Sequence, residues 1–266
     1  MLKGFSSPMS PTGRSSLAPT PPWHYAGELL VIEYWADPAA AASYLPQGLE
    51  PDEDAGYCTA HFAEWQAVTS DGQESLDPVR SQYTEFFLLL AARWRGEKVN
   101  YCPYIFVSQD ASLARGWAQG LPKQIGQIHM TRAYGVSNPA TPTLAPGGRF
   151  GATLSWNGRR LVEAKLTLMS EQQGRAGLPA RPYVGLRVFP DLAQPGHDRP
   201  MVMQLVRGGA SNVQVPAGWT GNAELQFLPC DVHELADLKP LRVGPGHRFS
   251  MGLTISTLTV LADLRT

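Results

Sequence analysis

The sequence lacks the features that mark secreted, membrane and nucleic-acid-binding proteins. It has only three cysteines in 266 residues and no C-x-x-C pair, which argues against a disulfide framework or zinc site and favours a reducing cytoplasm. No apolar run approaches the roughly 18 residues that a membrane-spanning helix needs. Basic residues form no cluster, and the net charge of −1 argues against nucleic-acid binding.

The first 22 residues are rich in Ser, Pro and Thr and contain no apolar central segment, so they do not resemble a secretory signal. Their composition predicts a disordered N-terminal arm over residues 1–22. The rest of the chain shows no internal repeat and no linker. We therefore expect a single domain over residues 23–266.

Strand-like runs dominate the remaining sequence, and several alternate apolar with polar residues, as half-buried strands do. Two short helices are also expected, one beginning at Pro38 behind the cap Asp37 and one over 110–119 with Asp110 as its cap. The pattern predicts a mainly antiparallel β protein (α+β) with a few short helices. The expected strands are Leu29–Tyr34, Tyr57–Val68, Tyr83–Trp94, Tyr101–Val107, Gly151–Trp156, Arg160–Met169, Tyr183–Phe189, Val202–Leu205, Ala223–Phe227 and Phe249–Leu261.

Lysine is scarce, with five among the 22 basic residues, and one of the five stands out. Lys123 follows a Gly-x-Pro turn directly after the second expected helix, between Leu121 and Ile125. A free lysine has a pKa near 10.4, and full burial lowers it by up to about 3–5 units, which makes the amine a nucleophile for carbonyl groups. Lys123 is thus either a Schiff-base lysine or a surface lysine after a tight turn.

Three further polar side chains lie in apolar strand-like runs. Tyr83 and Glu85 share one face of a strand, where Glu85 either transfers protons and orients a lysine or faces water at the strand edge. His61 either contacts a substrate or is a hydrogen-bonded residue of the sheet. No His/Asp cluster has metal-ligand spacing, and no phosphate loop is recognisable. The sequence therefore predicts neither a metal nor another cofactor.

The turn Gly120-Leu121-Pro122-Lys123 resembles the acetoacetate decarboxylase superfamily, whose motif is Gly-aromatic-Pro-Lys-Lys with the first lysine forming the Schiff base. Further matches follow in the family's order from about His24 to Leu264. The resemblance implies a closed, cone-like β barrel around a pocket, and a homo-oligomer. The other matching segments are Tyr83-Thr84-Glu85, Arg181-Pro182-Tyr183 to Phe189-Pro190, Ala217-Gly218-Trp219-Thr220-Gly221 and Leu225-Gln226-Phe227.

Several charged positions of the family's site differ in this sequence. Gln124 stands where the family has its second lysine, so burial alone is left to lower the pKa of Lys123. Gly27 aligns with an arginine thought to hold the substrate carboxylate, and Ala60 lies near the position of a second glutamate. Gly116 and Trp117 replace the Arg and Glu of a Gly-Arg-Glu element.

Superfamily members that keep the lysine and lose decarboxylation resemble aldolase-dehydratases. The resemblance therefore implies an enzyme that condenses pyruvate with an aldehyde to an unsaturated 2-keto acid. The alternatives are a β-keto acid decarboxylase tuned by burial and a non-catalytic β barrel that binds a small molecule. The expected site residues are Lys123 as the imine-forming amine, Glu85 as base, Tyr83 as acid, and Gln119, Gln124 and His61 as substrate-binding groups.

Overall fold

A computed structural model describes residues 1–174, 177–193 and 199–265. Within these ranges the chain forms thirteen strands and three short α-helices, with two 3₁₀ turns at Gln73–Leu76 and Glu234–Leu238. The helices are α1 (Pro38–Ser43), α2 (Pro78–Ser81) and α3 (Asp110–Ala118). The strands are β1 (Trp23–Trp35), β2 (Leu49–Pro51), β3 (Tyr57–Val68), β4 (Gln82–Trp94), β5 (Glu97–Val107), β6 (Lys123–Ile125), β7 (Gln127–Met130), β8 (Arg149–Trp156), β9 (Arg159–Gln173), β10 (Tyr183–Phe189), β11 (Val202–Gln214), β12 (Ala217–Phe227) and β13 (Arg242–Asp263).

Seven strands close into a ring in the order β1-β3-β4-β5-β10-β11-β13, because β13 also pairs with β1. Strands β12, β9, β8 and β7 continue the sheet from β13, outside this ring. Among the described residues two pairings are parallel, β5 with β10 and β5 with the short β6. The predicted fold class, mainly antiparallel β with ring closure and a few short helices, is confirmed.

The two faces of β1, β3 and β4 have different surroundings, because successive side chains of a strand point to opposite sides. One face carries Leu30, Phe62 and Phe86, which are fully buried in the main core together with Ile128 and Leu154 from β7 and β8. The other face lines a cavity enclosed by the ring. The residues that line it from these three strands are Tyr25, Leu29, Tyr57, Thr59, His61, Trp65, Tyr83, Glu85, Phe87 and Leu89.

The two predicted helices begin and end close to the expected positions. Asp37 caps α1, with its Oδ1 accepting from the backbone N–H of Ala39 and Ala40 at 3.0 and 2.9 Å. The predicted cap of α3 was wrong, because Asp110 is already helical and Gln109 precedes it as the N-cap. After the helix the chain reverses at Gly120, whose φ of 76° lies in the left-handed region that favours glycine.

Residues 1–22 lie outside the ring and contain one isolated bridge, Lys3 to Ser10. The Ser16 hydroxyl accepts from the N–H of Phe5 and Ser6, and the Phe5 ring packs edge-on against Trp23 at 5.8 Å. The disordered arm and the domain over 23–266 stay predictions. No helix in the described ranges is long and apolar enough to cross a membrane.

Candidate active site

The ring encloses a cavity of about 550 Å³, a volume typical of small-molecule sites. Its walls are mostly aromatic and aliphatic. Lys123 and Glu85 project into it from β6 and β4. A charged pair in apolar surroundings is the kind of site where the pKa of a group departs from its ordinary value.

Lys123 is held in place by strand pairing and by helix α3. Strand β6 runs parallel to β5, with Lys123 beside Ile105. The Trp117 indole N–H donates to the Lys123 carbonyl at 3.0 Å. Helix α3 lies so close that a Cβ built at Gly116 would be 2.3 Å from Lys123 Cδ. The lysine is 6 % exposed, so the surface-lysine alternative was wrong.

The amine of Lys123 has two polar partners. Its Nζ lies 2.9 Å from Glu85 Oε1, and it donates a hydrogen bond to Ser112 Oγ, also at 2.9 Å. Glu85 is 5 % exposed and Ser112 is fully buried. The alternative of a water-facing Glu85 was therefore wrong. The pair can exchange a proton at the nitrogen that would attack a carbonyl.

Burial is the main cause that lowers the pKa of Lys123. The carboxylate of Glu85 opposes this shift, and the nearby cation of Arg115 adds to it. Arg115 is 4 % exposed, and its Nε and Nη2 have no hydrogen-bond partner among the residues described. The site thus contains a buried cation that the sequence analysis missed, and it acts on Lys123 in the direction expected of a neighbouring lysine.

Two tyrosines, the buried Tyr83 and the partly buried Tyr25, lie against these cations. The Arg115 guanidinium carbon is 5.8 Å from the ring centroids of both Tyr25 and Tyr83, and Lys123 Nζ is 5.6 Å from that of Tyr83. Burial raises the pKa of Tyr83 well above its usual value and that of Tyr25 to about 12. Both hydroxyls therefore keep their protons at neutral pH and can act as donors. Ser112 lies beside the Tyr83 hydroxyl.

Gln119 and His61 line the cavity. The Gln119 amide donates to the Arg115 carbonyl at 2.9 Å, and its side chain lies beside the Tyr25 hydroxyl. The His61 ring stacks on Phe87 with centroids 4.3 Å apart, and its Nε2 is 2.8 Å from the hydroxyl oxygen of a neighbouring threonine. Both side chains are thus in reach of a ligand in the cavity.

Gln124 lies outside the cavity, because neighbouring residues of β6 point to opposite sides. Its amide nitrogen is 3.3 Å from His233 Nε2, in a cluster of aromatic rings that includes Tyr104 and Trp156. The structure therefore brings five of the six predicted site residues together and places Gln124 apart from them. The five are Lys123, Glu85, Tyr83, Gln119 and His61.

The positions that differ from the family pattern have clear surroundings. A Cβ built at Gly27 would be 2.6 Å from the Trp65 ring and 2.4 Å from the Glu64 carbonyl oxygen. The indole thus occupies the space that a side chain at Gly27 would need. Ala60 belongs to the main core, so a carboxylate there would point away from the cavity. At position 27 this chain therefore has no side chain that could hold a substrate carboxylate.

Ser112, Arg115 and Gln119 follow one another at helical spacing, three and four residues apart. This spacing places them on one face of α3. Gly116, on the same helix, contacts Lys123 closely. A polar face on a short helix just before the Lys123 turn is the signal that could have found Ser112 and Arg115.

Comparison with known proteins agrees with this geometry. The family model for acetoacetate decarboxylase matches residues 6–264. The chain belongs to the acetoacetate decarboxylase family. Acetoacetate decarboxylase from Chromobacterium violaceum is 24 % identical, over 98 % of this chain and 95 % of its own. An acetoacetate decarboxylase-like enzyme from Sphingomonas wittichii RW1 is 27 % identical with a TM-score of 0.89, over 98 % of this chain and 100 % of its own.

This family member is also similar to the enduracididine biosynthesis enzyme MppR. The structure of MppR complexed with pyruvate is 41 % identical with a TM-score of 0.91, covering 99 % of each chain. A second MppR structure contains the condensation product of pyruvate and imidazole 4-carboxaldehyde. It is 41 % identical with a TM-score of 0.92, over 99 % of this chain and 98 % of its own.

Proposed function

We propose that this enzyme is a lysine-dependent aldolase-dehydratase that condenses pyruvate with an aldehyde to an unsaturated 2-keto acid. The observation that carries the proposal is a buried Lys123 amine in contact with Glu85 and Ser112. The cavity around it has no arginine at position 27 to hold the carboxylate of a β-keto acid. The MppR structures with pyruvate and with a pyruvate condensation product support it.

The reaction begins with imine formation. The unprotonated amine of Lys123 attacks the ketone carbon of pyruvate and gives a carbinolamine. Glu85, 2.9 Å from Nζ, holds the proton that the Lys123 ammonium released to become this amine, and it donates that proton to the carbinolamine hydroxyl, which leaves as water. The Ser112 hydroxyl, whose Oγ is also 2.9 Å from Nζ, fixes the position of Nζ and relays protons between Nζ and the Tyr83 hydroxyl. The product is an iminium ion.

The positively charged iminium nitrogen withdraws electrons and makes the adjacent methyl group acidic, which allows a carbon–carbon bond to form. Glu85 removes a proton from the pyruvate methyl group, and the electron pair moves to nitrogen to give an enamine. The enamine carbon attacks the aldehyde carbon, and Tyr83 donates its proton to the alkoxide. The proton held by Glu85 then restores Tyr83. Loss of a second proton and of the new hydroxyl as water forms the double bond, and hydrolysis frees Lys123.

The carboxylate of a 2-keto acid has a matching environment on one side of Lys123. Arg115 is a buried cation that forms no salt bridge within the described part of the chain, and the Tyr25 hydroxyl and the Gln119 amide lie next to it. Charged hydrogen bonds of this kind are stronger than neutral ones. We assign this side of the cavity to the pyruvate carboxylate, with Gln119 as its direct donor and Arg115 as the charge behind it.

A β-keto acid decarboxylase is the second candidate, favoured by family membership and by the burial that lowers the pKa of Lys123. One experiment separates the two. The enzyme is incubated with pyruvate and an aromatic aldehyde, and near-ultraviolet absorbance follows the conjugated product. We expect product with wild type and none with Lys123→Arg. Carbon dioxide release from acetoacetate without any condensation product would overturn the proposal in favour of the decarboxylase.

A non-catalytic binding protein is the remaining alternative from the sequence. It would bind keto acids without reacting, so borohydride would not trap them on Lys123. We also infer a cytoplasmic homo-oligomer, supported by the cysteine composition and the family resemblance. Light scattering during size-exclusion chromatography tests the oligomer, and a single-chain mass would contradict it.

A further inference from the structure

The cavity is much larger than its first proposed substrate. A volume of about 550 Å³ is in the range that accepts drug-sized ligands, whereas pyruvate is a three-carbon acid. Strand pairing puts His61, Phe87, Ile105 and Lys123 at one level of the ring. The cavity extends to both sides of this level.

The two directions away from Lys123 have different polarity. The polar groups assigned to the keto-acid carboxylate lie in one direction, toward the level of the ring where Trp65 pairs with Tyr83. In the opposite direction β3 continues along the cavity for four residues from His61 to Tyr57, about 13 Å at ~3.3 Å per residue. We call this part the distal arm, lined by Tyr57, Thr59, Leu89, Asn100 and Arg181. The enamine carbon, on the side away from the carboxylate, faces it.

The end of the distal arm farthest from Lys123 offers a hydrogen-bond acceptor. The Tyr57 hydroxyl donates to Glu33 Oε2 at 2.6 Å, and Glu33 Oε1 is 2.8 Å from His247 Nε2. Burial and the adjacent Glu33 carboxylate raise the pKa of Tyr57, so the hydroxyl keeps its proton. With that proton directed at Glu33, the Tyr57 oxygen keeps lone pairs with which it can accept a hydrogen bond from a ligand.

The same end also offers donors without net charge. The Arg181 guanidinium lies 5.8 Å from the Tyr57 ring centroid and forms an ion pair with the buried Asp52, which neutralises it. The Asn100 side-chain amide has no hydrogen bond to any other residue that the structure describes, and it lines the cavity. On β4, Leu90 pairs with Cys58 of β3, and the next residue, Ala91, pairs with Asn100 of β5. Tyr57, which precedes Cys58, therefore lies close to the level of Asn100 in the ring.

We propose that the acceptor is an elongated, uncharged aldehyde with an apolar body and a terminal hydroxyl, bound at the end of the distal arm. A hydroxyl both donates and accepts, which matches the Tyr57 oxygen and the Asn100 and Arg181 donors. A terminal carboxylate would find Arg181 already paired with Asp52, and a terminal ammonium would find Glu33 already bonded to Tyr57 and His247. Either charge would lose its water without a free counterion. This inference rests on the proposed function.

The test compares cinnamaldehydes that differ only in the para substituent: hydroxyl, methyl, carboxylate or aminomethyl. Each is supplied with pyruvate, and kcat/KM is measured from product absorbance. We expect the hydroxyl compound to exceed the methyl compound about tenfold, the effect of roughly one well-placed hydrogen bond. The two charged compounds should fall below the methyl compound. Equal values for all four, or a preference for a charged tail, would overturn the inference.

Variants localise the effect to the distal arm. Asn100→Ala and Tyr57→Phe should bring the ratio of hydroxyl to methyl compound close to one, while Asn222→Ala, on the exposed part of β12, should keep it. An unchanged ratio in Asn100→Ala and Tyr57→Phe would refute the assignment. Borohydride trapping of pyruvate alone is the independent readout. Trapping without tail preference defeats only this inference, whereas absence of trapping on Lys123 defeats the proposed function and this inference with it.

Discussion

A single added methyl group at Gly116 should disable the lysine while the protein still folds. A Cβ at this position would lie 2.3 Å from Lys123 Cδ and 2.5 Å from its Cγ. Carbon atoms prefer separations near 3.5–4.0 Å, so the lysine side chain must move by about 1.2 Å or more. Its amine is now 2.9 Å from Glu85 and from Ser112, and such a shift takes both distances beyond hydrogen-bond range.

The expected loss in Gly116→Ala is about 100-fold in the rate of imine formation, because a misplacement of ~1 Å has effects of that size. Alanine is the better helix former by roughly 1 kcal/mol, which offsets part of the cost of separating the buried Lys123–Glu85 pair, so the variant should still unfold in one cooperative transition, with a Tm somewhat below that of wild type. The assay is the rate of borohydride trapping with pyruvate, followed by mass spectrometry, with Tm from circular dichroism.

Gly135→Ala is the matched control, because a Cβ there meets no atom within 4 Å. It should trap pyruvate at the wild-type rate. If Gly116→Ala also traps at that rate, the close contact between α3 and Lys123 does not position the amine, and the reasoning fails.

Two further variants test what sets the pKa of Lys123. The Arg115 cation lowers the pKa of Lys123, so Arg115→Met should raise this pKa. Because imine formation needs the unprotonated amine, the pH of half-maximal trapping should move upward. A downward shift would contradict this role of Arg115. In Gln124→Lys the new cation lies beside His233 and outside the cavity, so the pH profile of trapping should stay where it is; a clear shift to lower pH would show that this position acts on Lys123.

Much of the fold could be predicted because local patterns and tertiary pairing agree. The strands Tyr57–Val68 and Tyr183–Phe189 have the predicted bounds, since their residues are apolar or alternate throughout. Strand β1 begins at Trp23, six residues before the predicted Leu29, because pairing with β3 and β13 extends it past Gly27. Such extensions come from partners distant in the chain and have no local signal.

The same distinction explains the site. The Gly-x-Pro turn pointed to Lys123, and strand alternation correctly put Tyr83 and Glu85 on one face. The polar face of α3 could have marked Ser112 and Arg115 as candidates, but their contact with Lys123 depends on how α3 packs against β6, which the spacing alone does not specify. Gln124 was expected near the substrate because it stands where the family has its second lysine, yet alternation along β6 sends its side chain to the opposite side.

The proposed function depends on an imine between the Lys123 amine and pyruvate. Borohydride reduction of the wild-type enzyme with pyruvate, followed by peptide mapping, tests it directly. We predict one stable adduct, located on Lys123 and lost in Lys123→Arg. An adduct on another lysine, or condensation product formed with Lys123 unmodified, would contradict the account.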